Sequence, residues 1–209
     1  MAQNASQSNR MRMFHRGLLY LGVILLATIL GCSFPMSFDQ TPVGRFEVKT
    51  LPAATVMVTA TSGDYFDKAN GLFMTLFRYI RKQGVDMTVP VEGHHAPAQM
   101  NFYMSSRDQG RGLPDAEGVQ VRKLPERTVA SYGVRGSYTR ENYLAAIARL
   151  RDWLKEHPEY SVTGEPYAVY WNGPYVPGFL KRFEVHIPVS LPQSAECVFS
   201  LDATGDGGG

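Results

Sequence analysis

The sequence predicts an α+β domain made of two copies of a β-β-α-β-β module, forming a mostly antiparallel sheet with two helices packed on one side. Three observations carry this reading. Residues 46–81 and 119–154 align without a gap at an offset of 73. Leu51-Pro52 falls on Leu124-Pro125, Val56 on Val129, Gly63 on Gly136 and Tyr65 on Tyr138, which marks an internal duplication. Within each copy the apolar residues first alternate and then recur at helical spacing, and further alternating segments follow each helix.

Each copy reads strand, Pro turn, strand, Gly-Xaa-Tyr turn, helix. Val56, Val58 and Ala60 alternate with Met57 and Thr59, the period of a strand. Leu72, Leu76, Tyr79 and Ile80 share one helical face, as do Leu144, Ile147, Leu150, Trp153 and Leu154. Gly84 is expected to stop the first helix, and Thr139 or Asn142 to cap the second. Strand segments are expected at 87–91 and 98–104 after the first helix, and at 168–171 and 182–189 after the second. The repeats thus run over 46–104 and 119–189, inside a domain at 45–190.

Alternation also assigns faces. In the last strand Phe183, Val185, Ile187 and Val189 share one side and should lie under the helices, whereas Arg182, Glu184 and His186 share the other. In neighbouring segments Tyr170 opposes Val169 and Trp171, Tyr103 and Asn101 oppose Phe102 and Met104, and Tyr132 lies between Ser131 and Gly133. The face away from the helices is expected to collect Tyr (Tyr170 and Tyr132 among them), Glu, His and Arg. That composition suits a ligand groove and equally an ordinary solvated face.

The N-terminus carries a separate message. Arg10, Arg12 and Arg16 precede an apolar run from Gly17 to Leu30, shorter than the roughly 20 residues a spanning helix needs. A basic stretch, a short apolar core and a small residue read as an export signal. The run ends Ile29-Leu30-Gly31-Cys32, which resembles the lipobox of bacterial lipoproteins. Residues 1–31 are therefore expected to be a signal peptide, Cys32 the acylated residue, and 32–44 a tether. An uncleaved anchor helix is the alternative. Two or more acyl chains hold a protein firmly on a membrane. Ser33, rather than Asp, after the cysteine leans toward the outer membrane, facing the periplasm. Residues 191–209 read as a tail ending in a disordered Asp202–Gly209 stretch.

Composition narrows the chemistry. The net charge is +2 and no basic tract points to a nucleic-acid partner. With Cys32 acylated, Cys197 has no partner for a disulfide. There is no CxxCH for covalent haem, no zinc-ligand spacing, no phosphate-binding glycine loop and no GxSxG elbow.

Six stretches follow one another in order: Phe46-Glu47-Val48-Lys49, Phe77-Arg78-Tyr79-Ile80, Met87-Thr88-Val89-Pro90-Val91, Met100-Asn101-Phe102-Tyr103-Met104, Tyr170-Trp171-Asn172-Gly173-Pro174 and Lys181-Arg182-Phe183-Glu184-Val185. Together they resemble the SOUL family of haem-binding proteins within the wider GyrI-like group. The resemblance implies a distorted antiparallel β-barrel or sheet with two long helices. It also implies non-covalent binding of haem, or another apolar planar molecule, against the first helix without catalysis. Phe73 and Phe77 would supply apolar contacts, Arg78 and Lys181 or Arg182 would meet the propionates, and Tyr170 would line the site. Asn70 departs from relatives that carry a basic residue there.

Candidate axial donors are His94 and His95, expected in a loop after the Met87–Val91 signature, and His186, which has Glu184 as a neighbour. Met74 and Met87 are further thioether donors, and His157 reads as a surface residue. Two alternatives stay open. One is a GyrI-like small-molecule-binding protein or hydrolase using Glu184, its pKa raised among Tyr170, Trp171 and Tyr103. The other is a lipoprotein that binds a protein partner through the aromatic Tyr167–Phe179 stretch.

Overall fold

A computed structural model of the chain describes residues 37–191. The expected signal peptide, Cys32, the first part of the expected tether and most of the expected C-terminal tail, Cys197 included, lie outside the described residues. The strands are β1 (Phe46–Leu51), β2 (Ala54–Thr61), β3 (Val91–His95), β4 (Ala98–Tyr103), β5 (Gln120–Leu124), β6 (Arg127–Arg135), β7 (Ser161–Val162), β8 (Tyr167–Tyr170) and β9 (Arg182–Ser190). Helix α1 (Tyr65–Gln83) follows β2, and helix α2 (Arg140–Lys155) follows β6.

All pairings between these strands are antiparallel, in the order β1-β6-β9-β8-β3-β4-β2-β5, with β7 added to the end of β9. The order is a palindrome of the duplication. The first strand of each copy pairs with the second strand of the other, β1 with β6 and β5 with β2. The centre of the sheet is the β3–β8 pair, where the two copies meet. The chain is thus a curled half-barrel with two helices on one side, as the repeat requires.

The helix ends have local causes. Asp64 caps α1 by accepting from the Phe66 amide at 2.8 Å, and Gly84 ends the helix in the left-handed region at φ 61°. Thr139 caps α2 by accepting from the Asn142 amide. Between sheet and helices, Phe183, Val185, Ile187 and Val189 pack with Leu72, Leu76, Ile80, Leu150 and Leu154, as the alternation of β9 predicted.

Three expectations are corrected. Tyr170 and Tyr132 lie on the helix side, because directly paired residues share a face and they stand opposite Phe183 and Val185. Trp171 and Ser131 take the opposite face instead. The strand expected at Met87–Val91 starts only at Val91 and runs on through His94 and His95. The two histidines belong to a tight β3–β4 hairpin, His95 pairing with Ala98, and not to a loop.

Candidate functional site

The face of the sheet away from the helices is neither an open groove nor solvated. It holds two carboxylates, Glu184 and Glu92, at 0 % and 1 % exposure. One oxygen of Glu184 accepts from Lys49 Nζ at 2.8 Å, His186 Nε2 at 2.7 Å and Ser131 Oγ at 2.9 Å. The other accepts from Trp171 Nε1 at 2.8 Å and the Thr41 amide at 2.7 Å. Burial alone would push this carboxyl up; the His186 hydrogen bond and the Lys49 charge outweigh it and hold it at about 2. The raised pKa expected of an acid–base Glu184 is therefore not found, because burial comes with a counter-charge and five donors.

Glu92 accepts from Arg127 Nη2 and the Tyr103 hydroxyl, and from Asn101 Nδ2 at 2.9 Å, with His94 Nε2 at 3.4 Å. It too is held at about 2: burial raises it, while the His94 hydrogen bond and the Arg127 charge lower it further. Tyr167 joins the two centres. Arg127 Nε donates to its oxygen at 3.4 Å, and its hydroxyl lies 3.3 Å from His186 Nδ1. Burial favours the neutral form of His186. One ring N–H then donates to Glu184 while the other nitrogen accepts from Tyr167. A chain of hydrogen bonds runs Glu92–Arg127–Tyr167–His186–Glu184.

Residues 37–45, made of the end of the expected tether (to residue 44) and the first residue of the expected domain, strap across this face. The Ser37 amide donates to the Val89 carbonyl at 3.2 Å, Lys49 Nζ to the Asp39 carbonyl at 2.9 Å, and the Gly44 amide to the Gly133 carbonyl at 2.8 Å. Phe38 fills the centre, its ring 5.5 Å from Trp171 and 5.6 Å from Tyr103 with edge-on geometry, and 6.0 Å from His186. Gly133 permits this close approach: a Cβ there would stand 2.5 Å from the Thr41 carbonyl oxygen.

The helix side differs. Phe66, Phe73 and Phe77, at spacings of seven and four, form one stripe along α1 and are half-buried. The Phe73 and Phe77 rings stack at 5.9 Å, and Phe73 meets Phe102 of β4 at 5.4 Å. Arg78, exposed beside them, donates from Nε to the Met74 carbonyl at 3.2 Å, and Met74 is itself exposed. At the N-terminal end of α1 the His95 ring lies 3.8 Å from Tyr143, 4.5 Å from Tyr65 and 4.7 Å from Phe66. Burial pulls His95 down to about 4, so it is neutral at pH 7. Its Nε2 is buried without a hydrogen-bond partner, as is the Tyr170 hydroxyl nearby. Buried polar atoms without partners are uncommon and call for an explanation.

The residues singled out from the sequence thus separate into three places. Phe73, Phe77 and Arg78 come together on α1. Tyr170 and His95 gather around Tyr65, and Lys181 lies over the Tyr138 ring at 4.7 Å, against Tyr170. Arg78 is thirteen residues past Tyr65, about 20 Å along the helix axis, so it stands far from Lys181 and the exposed Arg182. Glu184, His186 and His94 sit behind the sheet. Sequence reasoning missed Glu92, Arg127, Lys49 and Phe38. Glu92 shares the parity of His94 in β3, and the alternation that grouped Asn101 with Tyr103 was the signal that would have found it.

The site thus consists of a duplicated half-barrel with two helices, a filled sheet face and a half-buried aromatic stripe on α1. The chain belongs to the SOUL heme-binding protein family, whose model matches residues 36–188. No curated protein matches it in sequence. Among solved structures it is similar to the EcmrR C-terminal domain, with a TM-score of 0.57 at 17% identity over 70% of this chain and 98% of that one. It is also similar to an uncharacterized conserved protein from Listeria innocua, with a TM-score of 0.52 at 14% identity over 72% and 94%. A protein described as a hydrolase from Listeria innocua gives a TM-score of 0.50 at 12% identity, again over 72% and 94%. At such identities the likeness concerns the fold alone.

Proposed function

We propose that the protein binds haem, or a similar planar tetrapyrrole, non-covalently on the helix side of the sheet, and catalyses no reaction. The observation that carries this reading is the stripe of Phe66, Phe73 and Phe77 on α1, half-exposed in a chain whose opposite sheet face is filled by its own side chains. The stripe is about 16 Å long, the rise of the helix from Phe66 to Phe77, which suits a flat macrocycle. Arg78 beside it carries a fork of donors matched to a propionate, and such charge-assisted bonds are stronger than neutral ones. Membership of the SOUL heme-binding family supports the ligand class.

A second placement is favoured by the free Nε2 of neutral His95, which has the electronic form an axial donor needs. Haem held there would lie near Phe66, with Lys181 rather than Arg78 as the propionate partner. His94 and His186 are already engaged by Glu92 and Glu184.

Titration of the purified protein with hemin tests the reading, and a shifted Soret band at micromolar protein is expected. Arg78→Glu should weaken binding several-fold in the first placement, and His95→Ala should change the Soret position only in the second. No spectral change on titration sinks both. The same reading includes export and acylation at Cys32, with the domain on the outer membrane facing the periplasm. Cys32→Ser should release the protein from membranes and abolish acyl labelling.

A further inference from the structure

We propose that the loop at residues 172–181 is a membrane-contacting surface that lays its aromatic tip into the lipid headgroup region; this rests on the acylation of Cys32 proposed above. The loop leaves β8 at Asn172 and returns to β9 at Arg182. It exposes large apolar side chains for no internal reason: Tyr175 is 97 %, Phe179 73 % and Leu180 46 % exposed. The backbone beneath is fixed. The Arg182 amide donates to Asn172 Oδ1 at 2.6 Å, the Gly136 amide to the Lys181 carbonyl at 2.9 Å, and Gly178 lies so close to Ser137 that a Cβ would meet its hydroxyl. The aromatic side chains therefore project from a held loop.

The place where the chain enters the domain selects the occupant. Ser37 is hydrogen-bonded to Val89, just ahead of Val91, and Val91 is paired with Tyr170 at the end of β8. Phe38 then lies against Trp171, the residue before the loop. Entry and loop are thus at the same end of the sheet. From Cys32 to Ser37 is five residues, a reach of about 17 Å at full extension, less than the roughly 28 Å length of α1. A lipid on Cys32 would hold this end, and no other, at the membrane.

The charge agrees. Arg135 and Arg182 are register partners, Lys181 adjoins them, and Arg45 joins from the strap. None of the four makes an ion pair among the described residues. Asp39 is the exposed carboxylate of the strap, and Asp64 is neutralised by Arg140. Exposed aromatics flanked by unpaired basic groups suit an interface rich in anionic lipid, where Tyr sits at the headgroup level and Lys and Arg meet phosphates.

The test uses the full chain, acylated in a bacterial host and reconstituted into phosphatidylethanolamine–phosphatidylglycerol vesicles with brominated acyl chains. Phe179→Trp and, separately, Tyr175→Trp add a probe at a side chain exposed enough to accept it; Trp153 and Trp171 of the unsubstituted chain give the background. The added emission should shift to the blue and be quenched by bromine. Acyl labelling with no quenching at either position would overturn the loop proposal and leave the anchor standing. Absence of acyl labelling would remove the anchor, and the proposal with it. A blue shift without bromine quenching would mean that protein, not lipid, covers the loop, and would also overturn it.

Discussion

Replacing Glu184 by Gln is the sharpest probe of what the filled face of the sheet does. The amide keeps the size of the side chain, and its oxygen still accepts from Trp171 and the Thr41 amide. It removes the charge facing Lys49 and an acceptor from His186. A carboxyl held at about 2, against 4.5 ordinarily, contributes roughly 3 kcal/mol to folding at neutral pH. Removing one partner of a buried pair costs about 3–5 kcal/mol. The Lys49 side chain retains 16% exposure, so the lower end applies, and Glu184→Gln should lose about 3 kcal/mol at pH 7.

The pH dependence carries the diagnosis. The folded pKa is depressed, so the contribution is complete above 4.5 and is lost as pH falls towards about 2. Urea unfolding followed by circular dichroism should find the gap between the two proteins narrowed by about 2 kcal/mol at pH 3. Asp152→Asn, which breaks the exposed pair with Lys155, should change stability by less than about 1 kcal/mol at either pH. A gap for Glu184→Gln that is the same at both pH values would refute the charge argument and leave only a packing defect.

Phe38→Ala should destabilise the fold by about 2 kcal/mol, less than for a fully buried Phe, and red-shift the Trp171 emission as water enters beside it. Gly133→Ala should lift the strap, with about 2 kcal/mol lost and faster exchange of the Thr41 amide; unchanged exchange would disprove the close approach. His95 should titrate near pH 4 by NMR. Its folded pKa lies below the unfolded one, so protonation removes stability as pH falls from about 6.5 through 4, and titration near 6.5 would contradict its burial among Tyr65, Phe66 and Tyr143.

The parts of the fold that were legible in the sequence are those written in local periodicity. The duplication at residues 46–81 and 119–154 predicted an antiparallel sheet with two helices on one side, though not its strand order, Gly84 and Thr139 the helix ends, and the alternation of 183–189 the buried face of β9. Tyr170 and Tyr132 were assigned to the wrong face because alternation gives parity within a strand but not its phase against a neighbour. That phase comes from pairing, Tyr170 with Phe183 and Tyr132 with Val185. Glu184 was legible as a candidate, but not its partner Lys49, which is 135 residues away in sequence. Phe38 lay in what read as a mere tether, and nothing local marks it as a core residue.

The filled face also bears on where a guest can go. Glu184 is balanced by Lys49 and Glu92 by Arg127, and with the Tyr167–His186 link only Arg127 Nη1 is left as a buried donor without a partner among the described residues of this face. A molecule entering there would have to expel Phe38 and break the bonds of residues 37–45. Any guest without matching charges would also leave a buried ion uncompensated, at a cost of roughly 3–5 kcal/mol for each pair broken. The stripe on α1 breaks no ion pair: the rings of Phe73 and Phe77 are already half-exposed and gain by leaving water. The same duplication therefore yields two unlike faces. One is closed by internal ion pairs and gives the domain its pH-sensitive stability. The other keeps half-buried apolar surface on α1, where the proposed ligand would lie.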